Sequence, residues 1–146
     1  MPALPATLPA ACLDRSSETR FDDGWYEPNL LPPIARWMGA RGRVNFRAPG
    51  LSEIRMDLTT HLPDLGARAL GIELLVNGVK LCAFSLWRYG WLELRVLVSE
   101  NVASGDDFEL ELRADRTWQP RPTEDETRDD REVSIAVCNM VVVSSQ

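Results

Sequence analysis

Three stretches of this chain alternate apolar and polar residues with a period of two, and that pattern excludes most folds at once. In the first, Ile54, Met56 and Leu58 take one face while Arg55, Asp57 and Thr59 take the other. Phe108, Leu110 and Leu112 alternate in the same way with Glu109, Glu111 and Arg113. In the third, Leu92, Leu94 and Val96 form the predicted core face, and Trp91, Glu93 and Arg95 the wet one. Successive side chains of a strand point to opposite sides, so such runs describe strands buried on one face and solvated on the other. Antiparallel sheets have that property. Asn77-Gly78 stands between Glu73–Val76 and Val79–Cys82, and both residues tolerate the positive φ a tight hairpin requires. Further strands are expected near Phe21–Tyr26, Ile34–Met38, Arg43–Arg47 and Glu132–Val143, with no convincing amphipathic helix. About eight or nine short strands separated by turns predict an all-β fold, a two-sheet antiparallel β-sandwich of jelly-roll type, with a closed barrel as the other solution.

The 146 residues suit one domain, and 45% hydrophobic content supplies a core without metal or disulfide staples. Residues 1–19 read as a disordered leader, spaced by Pro2, Pro5 and Pro9 and then polar, with the sandwich at 20–146. The leader has no basic start and no unbroken apolar stretch, as a signal peptide would. No run has the length of a membrane helix. The net charge of -6 is concentrated: Thr123–Glu132 holds six acids against Arg128 and Arg131. No basic stripe exists to neutralise phosphates, so neither nucleic acid nor an anionic membrane is an expected partner. Cys12, Cys82 and Cys138 are odd in number and form no C-x-x-C pair, which fits a reducing, cytoplasmic setting.

The chain offers little reactive chemistry. His61 is its one histidine, no serine lies in a G-x-S-x-G context, and neither G-x-G-x-x-G nor a phosphate-binding loop occurs. The acids fall mostly on wet alternation positions or in the charged segment. Asp106-Asp107 and Asp129-Asp130 offer the oxygen donors calcium prefers, without a fuller calcium-loop pattern. The expectation is a noncatalytic protein with no cofactor and no bound metal.

The stretch most suggestive of binding is Trp87 to Arg95. Trp87, Tyr89 and Trp91 could stack on the C–H faces of a pyranose, with Arg88, Glu93 and Arg95 bonding its hydroxyls. The competing expectation is that Trp87 or Trp91 closes an end of the sandwich. Arg36 and Arg131 are expected to pin strands together through carboxylate pairs.

Taken in order, Gly24-Trp25-Tyr26, Arg36-Trp37-Met38, Val76-Asn77-Gly78, Gly90-Trp91 and Asp130-Arg131-Glu132 running into Ile135-Ala136-Val137 carry a resemblance. Over about residues 21–143 the chain resembles the carbohydrate-binding-module-like β-sandwich domains appended to bacterial glycosyltransferases and methyltransferases of surface-polysaccharide synthesis. It departs from that pattern at Val133-Ser134, where a Leu-Gly pair would precede the isoleucine. The resemblance implies an accessory domain linked to polysaccharide or glycoconjugate biosynthesis, with an oligosaccharide ligand and a protein partner such as a glycosyltransferase. A protein-docking or oligomerisation sandwich that binds no sugar is the alternative.

Overall fold

A computed structural model describes residues 10–13, 19–26, 28, 35–99, 101, 102, 105–119 and 132–144. Within them lie ten strands: β1 (Ala10–Cys12), β2 (Arg20–Phe21), β3 (Arg36–Trp37), β4 (Arg41–Arg47), β5 (Leu51–Thr59), β6 (Leu70–Val76), β7 (Val79–Leu86), β8 (Leu92–Leu97), β9 (Asp107–Ala114) and β10 (Ala136–Ser144). They form two antiparallel sheets. The first runs β1-β10-β5-β8, with β3 also on β10, and the second runs β2-β4-β9-β6-β7. None of the helices that could cross a membrane is present among the described residues.

The period of two decides the packing. Ile54, Met56 and Leu58 of β5 are fully buried, as are Leu110 and Leu112 of β9, and the two rows meet in one core with Leu70, Ile72 and Leu74. Phe46 and Phe108 stack within it at 5.8 Å. The β6–β7 hairpin turns at Asn77 (φ 50°) and Gly78 (φ 82°), as the Asn-Gly pair requires.

Two fully buried hydroxyls fasten the far end of the first sheet. Thr60 Oγ1 donates to the Ser134 carbonyl at 2.7 Å and accepts from the Leu62 N–H at 3.2 Å. The Ser134 hydroxyl donates to the Gly39 carbonyl at 2.6 Å, so the departure at Val133-Ser134 adds a buried clasp.

Several expectations are corrected. Within the predicted leader, Ala10–Cys12 form β1 on Val141–Val143 and Leu13 is buried, so the sandwich begins earlier than residue 20. The period-two signal needs more residues than this short strand offers. The strand expected at Phe21–Tyr26 shrinks to β2 plus a bridge from Trp25 to Met38, because Gly24 (φ 93°) turns the chain. Arg36 lies over the Phe21 ring at 4.2 Å, a cation–π contact where a carboxylate pair was expected. Glu111, predicted wet, is buried in the outer face of the second sheet between Arg41, Arg43 and Arg113. Arg131 and Asp129-Asp130 lie outside the described residues.

Candidate functional site

The segment Trp87–Trp91 connects β7, an edge of the second sheet, to β8, an edge of the first. It therefore crosses between the sheets along one side of the sandwich, where no core is available to take its rings. Trp87 is 60% exposed, Tyr89 57% and Trp91 47%. The expectation that Trp87 or Trp91 closes the sandwich does not hold. Trp25 and Trp118 pack against the main core instead, and Trp37 covers a separate small cluster of Ala35, Ala136 and Cys138. Trp25 meets Phe21 edge-to-face at 5.5 Å and donates Nε1–H to the Arg43 carbonyl. Trp37 meets Trp118 at 5.8 Å and His61 at 5.0 Å. The early motifs that carry the family resemblance are thus packing devices.

The loop is clipped down at two points. The Tyr89 hydroxyl donates to the Leu62 carbonyl at 2.6 Å, and Thr59 Oγ1 donates to the Gly90 carbonyl at 2.9 Å. Gly90, at φ 104°, makes the turn that an L side chain would resist. Arg88 stands 4.1 Å over the Trp87 ring, covering one face of it. Residues Ser85 to Leu92 line a cleft of about 350 Å³.

Glu93 and Arg95 do not line that cleft. They border a smaller groove of about 190 Å³ on the outer face of the first sheet, with Arg55, Asp57 and Asn139. Cross-strand register sets this up, since Asp57 stands opposite Glu93 and Arg55 opposite Arg95. The groups are already paired: Arg95 Nε lies 3.4 Å from Glu93 Oε1, Arg55 Nη2 2.7 Å from Glu53 Oε2, and Asn139 Nδ2–H donates to Asp57 at 2.9 Å. Asn139 reaches Asp57 from a bulge in β10 where its own φ is 52°. Period-two reading places Arg55 and Asp57 on a wet face but not beside Glu93. Asn139 carries no sequence signal, lying between Cys138 and Met140 in an apolar run.

The six predicted residues therefore fall into an aromatic rim (Trp87, Arg88, Tyr89, Trp91) and a neighbouring polar groove (Glu93, Arg95). Rims of this kind offer π faces, and the groove offers alternating donors and acceptors. Two larger depressions on the outer face of the second sheet, about 440 and 550 Å³, hold none of the exposed aromatics. Among the described residues no three His, Cys, Asp or Glu side chains are grouped to hold a metal ion. Burial pushes the Cys82 thiol on β7 above its ordinary value.

Fold and site together define a jelly-roll β-sandwich module with an exposed aromatic loop along one edge. No protein-family model and no curated protein matches the chain. Solved structures do. An acetyl xylan esterase, Est2A, from the rumen bacterium Butyrivibrio proteoclasticus aligns with TM-score 0.54 and 17% identity over 97% of this chain, which spans 33% of the esterase. A cleaved adhesin domain of Lys-gingipain from Porphyromonas gingivalis aligns with TM-score 0.57 and 7% identity, covering 97% of this chain and all (100%) of the domain. The CBM36-1 domain of a multidomain xylanase from the hindgut metagenome of Trinervitermes trinervoides aligns with TM-score 0.50 and 12% identity, over 94% of this chain and 97% of that domain. At these identities the likeness is one of fold.

Proposed function

We propose that this protein is a noncatalytic carbohydrate-binding accessory module whose site is the loop Trp87–Trp91 with the groove beside it. One observation carries the reading: the exposed large aromatics among the described residues are Trp87, Tyr89 and Trp91, all on one clipped loop. Trp91 and the open face of Trp87 serve as stacking platforms, and Tyr89 adds its ring while its hydroxyl holds the loop. Glu93 and Arg95 bond hydroxyls, and Arg88 does so from above Trp87. Affinity per site is weak, because sugar hydroxyls give up water they already bond well. The fold is one that a carbohydrate-binding module of a xylanase also adopts, which supports the reading without naming a sugar. The family resemblance extends it to polysaccharide or glycoconjugate biosynthesis in the cytoplasm, beside an enzyme such as a glycosyltransferase.

The test is a glycan array on the purified protein, with hits followed by tryptophan fluorescence. A glycan that quenches emission, and is lost in a cooperatively melting Trp91→Ala variant, supports the site. A blank across diverse glycans, or binding that survives Trp91→Ala unchanged, removes it.

A further inference from the structure

The free edges of the two sheets are finished differently. β7, at the edge of the second sheet, carries Lys80 and a register shift against β6 between Leu74 and Leu75. Lysines and bulges keep an edge from recruiting another strand. β8, at the edge of the first sheet, has neither. It pairs with β5 without a shift from Glu53↔Leu97 to Leu58↔Leu92, and among the described residues no strand covers its other side. It also holds Leu97, which is 80% exposed, and Leu92, which is 44% exposed.

The direction of its free backbone groups follows from one bond. The Val98 N–H donates to the Ser52 carbonyl at 2.9 Å. Antiparallel pairing alternates, so the N–H and C=O of Glu93, Arg95 and Leu97 point away from β5. Those are the groups another strand would meet.

We infer that the occupant of this edge is a second copy of the same chain, joined β8 to β8 in antiparallel fashion about a two-fold axis at Leu94. The sequence from Trp91 to Leu97 is self-complementary in that register. Glu93 stands opposite the partner's Arg95, Arg95 opposite the partner's Glu93, and Trp91 opposite the partner's Leu97. On the other face Leu92 meets the partner's Val96, and Leu94 meets its own copy. The charges also reject the neighbours of this register. A slip of two residues one way sets Glu93 against Glu93, and the other way sets Arg95 against Arg95. Parallel pairing in register opposes both like pairs. A two-fold axis makes the contact closed, so the assembly stops at two. It joins the first sheets of both copies into one, with the two aromatic loops at opposite ends of the seam. This inference does not rest on sugar binding, but it places Trp91, Glu93 and Arg95 in the seam, so dimer and bound glycan are expected to compete for them.

Sedimentation equilibrium of the full chain, from micromolar to submillimolar concentration, tests it. The wild type is expected to dimerise. Glu93→Arg and Arg95→Glu each place like charges opposite one another twice per dimer, and each is expected to raise the dissociation constant about tenfold. The double variant E93R/R95E restores the pairing and is expected to return within about threefold of wild type. Leu97→Lys, at a side chain the monomer does not use, is expected to dissociate the dimer while melting as wild type does at dilutions where both are monomeric. A wild type that stays monomeric throughout overturns the inference. So does a dimer indifferent to the single changes or to Leu97→Lys, or a double variant no better than the singles.

Discussion

The Tyr89 hydroxyl donates to the carbonyl of Leu62, a fully buried residue, so the exposed aromatic loop is fastened directly to the end of the core. Thr59 holds the next residue, Gly90, from the end of β5. Three large exposed aromatics thus stand on a loop tied to the core at two points.

Tyr89→Phe separates the clasp from the platform. The ring remains, and the bond of 2.6 Å is lost. A hydrogen bond of this kind contributes about 1 kcal/mol, so urea unfolding should show a small loss of stability. Glycan binding is expected to weaken severalfold as the loop gains freedom. Binding equal to wild type would mean that the hydroxyl does not organise the site.

The sequence makes the sandwich readable because alternation encodes facing directly: Ile54, Met56 and Leu58 are buried where the pattern places them. Pairing partners are less visible. Leu92, Leu94 and Val96 stand opposite buried β5 residues, yet Leu92 is well exposed because β8 is an edge, which no local pattern reveals. The clustering of Trp87, Tyr89 and Trp91 is legible in the sequence. Their exposure is not, because packing at an end of the sandwich is an equally open expectation. The groove is not, since it depends on the register that sets Asp57 beside Glu93 and on a bulge at Asn139. Glu111 misleads for the same reason: its alternation says wet, while its place on β9 between β4 and β6 surrounds it with arginines.

Removing the Glu111 charge should be costly. Its oxygens lie 3.1 Å from Arg41 Nε, 3.5 Å from Arg43 Nε and 3.0 Å from Arg113 Nη2, and its side chain is almost wholly buried. Glu111→Gln keeps the shape and removes the counter-charge the three guanidinium groups share, leaving Arg43 only the exposed Asp23 at 3.9 Å. The arginines are partly exposed and can turn toward water, which reduces the penalty of a broken buried pair to about 2 kcal/mol. Denaturant titration should show this as a lower midpoint with an unchanged slope. A midpoint within error of wild type would show that the cluster is held by packing alone.

Two glycines with positive φ should respond very differently to alanine. At Gly24 (φ 93°) an added Cβ would overlap the Arg41 backbone carbonyl, and the Gly24 carbonyl itself accepts the Gly39 N–H. Backbone cannot move aside there without breaking the Trp25–Met38 bridge. Gly24→Ala is therefore expected to cost on the order of 3 kcal/mol. Gly78 (φ 82°) has open space around it, so Gly78→Ala should cost only the conformational term, about 1 kcal/mol. Thermal melts of the two variants compare them directly, and similar losses would contradict the crowding at Gly24.

Cys82 should make the stability of the fold depend on pH in the alkaline range. It sits half-buried on β7, and burial raises its thiol above the ordinary 9.0, because the thiolate is poorly solvated there. As pH rises past that ordinary value the unfolded chain loses the proton first. The folded chain still holds it, so proton release favours unfolding. The contribution is intact below the ordinary thiol value and is lost as pH climbs toward the raised one. Other groups titrate in the same range, so the informative quantity is the difference between wild type and Cys82→Ala. Urea midpoints measured from neutral to about pH 10 should fall more steeply for wild type than for the variant. Parallel slopes would mean that the thiol is solvated enough in the folded state to ionise as it does in the unfolded chain.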